Sequence, residues 1–236
     1  MPSTATLKKI NAASGLGFAV FTVMHLVSHY TLNSSYEQAN TTMLTFRQVY
    51  QNPLFEVLLV VSLLAHMYSN SGLYMARSKI ASNKKDDDNN KKAAPPGSTE
   101  LNAHRFAGYL LSLLVFGHVF AVRVTPLLHL EDPSEYDYSF AASVYELIPF
   151  NIFPVYLSIL GMVGGWHTIY GVRSAIATLS GGSVVGKPFP IALKAVALAN
   201  HLLIIGAVVA LGGYASTVDF SEKEDMHRTL LTAMGM

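Results

Sequence analysis

The chain has 236 residues, of which 51% are hydrophobic and 13% charged, with a formal net charge of +1. A soluble domain carries about 25% charged residues, so this composition belongs to an integral membrane protein, and the near-neutral balance excludes a global electrostatic partner such as nucleic acid. The absence of cysteine excludes disulfides, iron–sulfur ligation and covalent c-type haem attachment.

Met1 to Lys9 is too short for an Arg-rich transit peptide. Lys8 and Lys9 followed by the apolar Leu16 to Val27 mimic a secretory signal, but no small-residue cleavage site follows clearly. Residues 1–13 therefore read as a short tail before a retained first helix. Five segments are long and apolar enough to cross a bilayer, which takes about 20 helical residues: Ser14–Leu32, Leu54–Ala76, His104–Thr125, Ile152–Thr178 and Ile191–Tyr214. Only helices or closed barrels satisfy the backbone in lipid, and these runs are too long for barrel strands. The predicted fold is an all-α, five-helix transmembrane bundle over 14–214. Pro53 and Pro190 precede helices two and five, where a missing amide hydrogen costs little. Pro154 lies in the first turn of helix four, Pro126 follows helix three, and Gly213 helps end helix five.

The connections differ in character. Residues 79–100 form a polar, low-complexity linker, predicted to be disordered, between two helical hairpins. Its Lys–Asp–Asn run at 84–92 reads as solvated rather than as a surface engaging anionic lipid. Residues 127–149 are acidic and aromatic, with a short interfacial helix expected around Phe140 to Leu147. Residues 215–236 read as a polar tail. With five spans, one side holds Lys8, Lys9, Arg77, Lys79, Lys84, Lys85, Lys91, Lys92, Arg105, Arg173, Lys187 and Lys194. The other holds Arg47, Arg123, Lys223 and Arg228 against eleven acidic residues. The positive-inside rule then puts the N-terminus in the cytosol, or in the matrix of a mitochondrial inner membrane.

His25, His66, His118 and His167 lie within four separate apolar stretches, in a duplicated context. Gly15 precedes His25 by ten residues, as Gly108 precedes His118; Pro53 precedes His66 by thirteen, as Pro154 precedes His167. An ionisable ring inside a membrane helix is costly and marks a functional site. At about 1.5 Å per residue, His25 and His118 fall roughly 16 and 21 Å from the basic side, and His66 and His167 roughly 9–12 Å. The rings thus form two layers, as two stacked haems would require, each clamped by one helix from each hairpin. A neutral imidazole on each face of the iron gives an electron-transfer centre with no open position. The second ring nitrogen needs an acceptor, for which Ser28, Ser62 and Ser112 are candidates. Gly15, Gly17, Gly72, Gly108, Gly117, Gly161, Gly164, Gly165 and Gly171 allow close helix approach or leave room for a flat macrocycle. Arg123 on the acidic side, and Arg77, Arg105 or Arg173 on the basic side, are the candidate propionate partners.

The other histidines carry blander readings. His29 is one turn from His25 and is an alternative ligand. His201 reads as a polar packing residue, and His104, His129 and His227 as surface residues. Arg47, Tyr50 and Gln51 could line a quinone or headgroup pocket, against a simpler reading as an interfacial anchor belt. Trp166 reads as packing beside His167. No nucleophile triad, phosphate loop or soluble metal motif is present, so the sequence names no catalytic residue and leaves open whether the chain is an enzyme.

The stretches HLVSH (25–29), NPLFEVLLVVSLLAHMYSNSGLY (52–74), HRFAGYLLSLLVFGH (104–118) and WHTIYGV (166–172) resemble the five-helix, dihaem cytochrome b anchor of bacterial succinate:quinone oxidoreductases and fumarate reductases. That resemblance covers roughly residues 9–178. It implies that His25 pairs with His118 and His66 with His167 around one or two haem b groups, with a flavoprotein/iron–sulfur partner and quinone. A second resemblance, in FRQVYQNPLFEVLLV (46–60), HVFAVRVTP (118–126) and WHTIYGV, is to the transmembrane domain of a fungal-type mitochondrial outer-membrane family. That family is implicated in lipid homeostasis and recruits a bridge-like lipid-transfer protein. It uses a Pro-x-Pro element in an N-terminal extension, whereas here the N-terminus has only Pro2 and Pro188–Pro190 abuts helix five. The resemblance implies a mitochondrial membrane, outer ahead of inner, with lipid as a partner. Three functions follow as expectations: a lipid-homeostasis membrane protein that holds haem b, a cytochrome b subunit exchanging electrons with quinone, and a haem-free scaffold.

Overall fold

The computed structural model describes residues 2–85, 99–147, 152–185, 187–213 and 221–235. Most of the expected disordered linker (86–98), the end of the acidic loop (148–149) and the start of the C-terminal tail (215–220) lie outside the described residues. Among the described residues nine α-helices follow in chain order: α1 Thr4–Tyr30, α2 Tyr36–Tyr50, α3 Pro53–Lys85, α4 Thr99–Val119, α5 Thr125–His129, α6 Tyr138–Leu147, α7 Ile152–Leu179, α8 Ile191–Leu211 and α9 Glu224–Ala233. Five helical segments are long and apolar enough to cross a membrane, ending at Thr4–Asn33, Pro53–Lys79, Thr99–His129, Ile152–Leu179 and Ile191–Leu211. The chain is a multi-pass, all-α membrane protein.

α3 runs on to Lys85 and α4 begins at Thr99, so both ends of the expected linker are helical; two other boundaries differ from the sequence reading for physical reasons. Helix α1 starts at Thr4, not near Ser14, because Ser3 caps it by accepting the Thr6 amide hydrogen at 3.1 Å. The supposed N-terminal tail is thus largely helix. The third span does not stop before Pro126. A π-helical turn at Phe120–Val124, with the Thr125 amide reaching back to the Phe120 carbonyl, loosens the ladder and lets α5 continue through the proline to His129. Gly213 ends α8 as expected. Its φ of 78° lies in the left-handed region that glycine enters without a Cβ clash, and its amide hydrogen returns to the Ala210 carbonyl at 3.1 Å.

α1 and α7 are the hub. α1 packs on α3 and α7, α4 packs on α7, and α8 closes against α7 and α1. The pairs α1/α4 and α3/α7 are not closely packed among the described residues and meet through side chains. The outer faces of the spans stay apolar and uncovered, as at Val61 (56% exposed) and Leu113 (75%), which suits a surface solvated by lipid.

At the acidic end, short helices form a cap. Tyr138 of α6, Met43 and Ala39 of α2, and Leu32 pack on Ala207, Ala210 and Leu211 of α8. Phe140 and Val144 of α6 pack with Tyr136 on Leu230 and Leu231 of α9. Burying one such leucine contributes about 1.5–3 kcal/mol, enough to hold α9 in place. The expected interfacial helix is therefore present as α6, and much of the expected polar tail is the amphipathic α9. α2 lay ahead of the second span without an assigned structure. It is capped by Ser35, whose hydroxyl accepts the Gln38 amide hydrogen at 3.1 Å.

His227, expected at the surface, is buried to 1% exposure in this cap. It lies 3.0 Å from the Ser139 hydroxyl oxygen, and Ser139 in turn donates to Asp137. Lys223 joins Asp137 at 2.7 Å. The serine sits between the histidine and the aspartate and is itself buried, so this is a structural clasp and not a nucleophile with a histidine base. Burial pushes Asp137 up, but the Lys223 and Ser139 hydrogen bonds outweigh it and hold the carboxyl below its usual range. Burial, with Lys223 nearby, lowers His227, against the opposing pull of Asp137. A histidine lowered on folding binds fewer protons in the native state than in the unfolded state. Its contribution is therefore complete above about pH 6.5 and is lost as the pH falls towards the native value. Amide hydrogen exchange across residues 224–233 is expected to speed up on acidification through this window, and His227→Gln should remove that step. An unchanged pH dependence in the variant would refute the assignment.

Candidate functional site

Two histidine pairs form inside the bundle, each between two helices that are not closely packed. His25 of α1 and His118 of α4 have ring centroids 5.8 Å apart at 64°. His66 of α3 and His167 of α7 are 6.1 Å apart at 88°. The two layers are well separated: Gly15, against which His66 rests, precedes His25 by ten residues, or about 15 Å of helix. An imidazole bound to a metal at about 2.0–2.1 Å on each side of one ion places two ring centres about 6 Å apart, so both spacings fit a shared metal. Among the described residues no three histidine, aspartate or glutamate side chains converge as a metal cage. A bis-histidine cofactor needs only two.

The His66/His167 layer repeats one construction twice. His66 Nδ1 lies 3.2 Å from the Asn11 carbonyl of α1, and His167 Nδ1 lies 3.2 Å from the His104 carbonyl of α4. A carbonyl can only accept, so each Nδ1 carries the proton and each Nε2 keeps its lone pair. Asn11 and His104 each lie four residues before a glycine of the duplicated pattern. A Cβ on Gly15 would sit 3.1 Å from the His66 ring, and one on Gly108 would sit 2.9 Å from His167 Cε1. The glycines are seats for the histidine of the neighbouring helix. The expected acceptors do not serve: Ser28 and Ser112 donate to the His25 and Gly108 carbonyls, and Ser62 faces Gly17. Backbone carbonyls take that part.

His104 was read as a surface residue. Instead its ring stacks on His167 at 4.2 Å and 12°, and on Tyr170 at 4.7 Å. Trp166 packs on Phe189 and Tyr170, in the position expected of a packing residue. His201 bonds the Ala197 carbonyl of its own helix.

The His25/His118 layer is built differently. His25 Nε2 is 3.2 Å from His29 Nε2, and His29 Nδ1 is 3.0 Å from the Tyr138 hydroxyl. Tyr138 donates to Ser28 at 3.4 Å. His118 Nε2 is buried without a hydrogen-bond partner among the described residues. Burial pushes the Tyr138 phenol up, which keeps it a neutral donor.

The candidate cations also differ. Arg123, in the π-helical turn, forks onto Glu56 at the start of α3 at 2.5 and 2.8 Å. Its charge is already matched, which weakens it as a propionate partner. Glu56→Gln is expected to cost about 1 kcal/mol, since the pair is a quarter to a third exposed; thermal unfolding in detergent measures it, and no change would show the fork to be idle. Arg105 is half-buried on α4 beside His104 and close enough to Arg77 for mutual repulsion. Among the described residues it has no carboxylate within ion-pair distance. Arg173 donates to the Pro188 carbonyl. Arg47 donates to the Tyr136 carbonyl, and Tyr50 is buried edge-on to Phe21. These two brace the cap. A mostly apolar cleft of about 430 Å³ lies at the basic end, between Trp166, Lys194, Leu198 and His201.

The fold and its polar interior thus define a five-span membrane protein with two internal histidine pairs. No family of proteins, curated protein or solved structure matches the chain.

Proposed function

We propose that the chain is a mitochondrial membrane protein of the lipid-homeostasis type, built on a cytochrome b anchor arrangement, that holds haem b through bis-histidine ligation. The observation that carries the haem reading is the pair of Nδ1–carbonyl hydrogen bonds at His66 and His167. They fix both rings in the tautomer that offers Nε2 to a metal, and ligating histidines are held in this way. The guanidinium of Arg105, with no carboxylate at ion-pair distance among the described residues, suits a macrocycle with acidic side chains. Haem held so supplies one-electron transfer with no open coordination position. The protein's own residues orient the imidazoles and keep water from the rings. The membrane, its lipid partner and the cytosolic N-terminus rest on the sequence resemblance and on the basic residues at one end.

The second reading is an anchor subunit passing electrons between a flavoprotein/iron–sulfur partner and quinone; the pairing of histidines across the two hairpins favours it. Purification in detergent from haem-replete cells, followed by a dithionite-reduced minus oxidised spectrum, tests the shared core. A sharp b-type band is expected. Co-purification of a flavoprotein with quinone reductase activity would select the second reading. Monodisperse protein with no band would leave a haem-free scaffold.

A further inference from the structure

The two histidine layers have been treated as equivalent, and the duplicated sequence pattern encourages that. Their hydrogen bonding is not equivalent. In the layer nearer the basic end, both Nδ1 atoms donate to backbone carbonyls, and neither Nε2 makes a hydrogen bond among the described residues. In the other layer, His25 Nε2 is engaged by His29. If His25 donates, its Nε2 carries a proton; if it accepts, its Nε2 lone pair is occupied. In both cases that atom must give up its bond to His29 before it can reach a metal, which neither Nε2 of the other layer has to do among the described residues. The donors also close on themselves in a consistent direction. Ser28 gives its hydrogen to the His25 carbonyl at 2.7 Å, which frees its oxygen to accept from Tyr138. Tyr138 then accepts from His29 Nδ1, and His29 Nε2 accepts from His25. His118 contributes one unpartnered nitrogen, and one ring does not make a bis-histidine set.

The surroundings separate the layers in the same sense. The glycine seats Gly15 and Gly108 serve only His66 and His167. Arg105 stands beside that layer without a carboxylate, whereas Arg123, at the other end, is matched by Glu56.

Resting on the haem reading above, we infer that this chain holds a single haem, between His66 and His167, and that His25, His29, Tyr138 and Ser28 form a closed hydrogen-bond chain that joins α1 to the cap and binds no haem. The histidine retained at His25 is then a structural and proton-sharing residue.

The test is a pyridine haemochrome count on full-length protein purified from haem-replete cells, with monodispersity in detergent as the check on folding. One haem per chain is expected. It should persist in His25→Gln and His118→Gln and fall at least tenfold in His66→Gly and His167→Gly. Because a glycine variant can fail to fold, imidazole is added during expression and purification. Recovery of the b-type band with imidazole in the His66 and His167 variants supports the assignment. Two haems per chain, or one that is lost in the His25 and His118 variants and kept in the other two, overturns it while leaving the haem reading intact. No haem in monodisperse parent protein overturns the haem reading and this inference with it.

Discussion

Gly165→Val is expected to cause a large loss of stability, by separating α8 from α7. A Cβ at this position would sit 2.2–2.4 Å from the side-chain amide of Asn200. That amide cannot swing away freely. Asn200 is only 4% exposed, and its Oδ1 accepts the Tyr30 hydroxyl at 2.6 Å, tying α1 to α8. Valine would therefore crowd a full interface and break a buried hydrogen bond at once. Overpacking costs about 1–3 kcal/mol and an orphaned buried polar group about 1–3 kcal/mol more, so the expected loss is about 2–6 kcal/mol. One turn away, a Cβ on Gly161 would sit 2.8 Å from Ile204, so both glycines serve as a contact for α8. Thermal or denaturant unfolding in detergent measures the effect. An unchanged midpoint would show that α8 docks by some other face.

The second large effect is expected at Gly108. The His167 ring is fixed on one side by the His104 carbonyl and on another by the His104 ring, and a Cβ on Gly108 would press on its Cε1 and Nδ1 at 2.9 and 3.4 Å. Gly108→Val leaves the ring no way to keep both contacts. Haem content is expected to fall at least tenfold, with a stability loss of about 1–3 kcal/mol that an apo preparation also shows. Gly15→Val should act alike through His66. Gly117 is the control, because a Cβ there meets nothing within 4 Å. Its valine variant should keep the parent haem content. Equal losses at Gly108 and Gly117 would refute the seating role.

Much of this architecture was legible in the residues. Hydropathy located all five spans, because lipid tolerates few charges and each run exceeds the bilayer thickness. The duplicated glycine, proline and histidine spacings put His25 with His118 and His66 with His167, and the rings do meet in those pairs. What the glycines touch was not legible, since a helix rotation of some tens of degrees decides whether Gly15 faces a ring or a neighbouring helix. Nor were the ring acceptors. Backbone carbonyls carry no sequence signature, so attention fell on Ser28, Ser62 and Ser112, which bond elsewhere. Two elements did leave a signal that went unread. Ser35-x-x-Gln38 is a capping-box pattern opening α2, and Met226, Leu230 and Leu231 repeat at helical spacing in α9. The burial of His227 follows from the packing of α9, and the stacking of His104 on His167 from the packing of α4 on α7, which a polar neighbourhood in sequence conceals. Pro126 looked like a terminator because a π-helical turn that accommodates proline has no residue code.

Each half-site is complete within one hairpin. α1 holds the ring of α3, and α4 holds the ring of α7, before the hairpins meet. A chain entering the bilayer during synthesis therefore delivers a finished imidazole mount when α3 is inserted and an equivalent one when α7 is inserted, and docking of the two mounts is a later, separate event. Two polypeptides, residues 1–85 and 99–236, are accordingly expected to reassemble when co-expressed, with each fragment inserting independently of the other. The arrangement is that of two matching modules joined end to end.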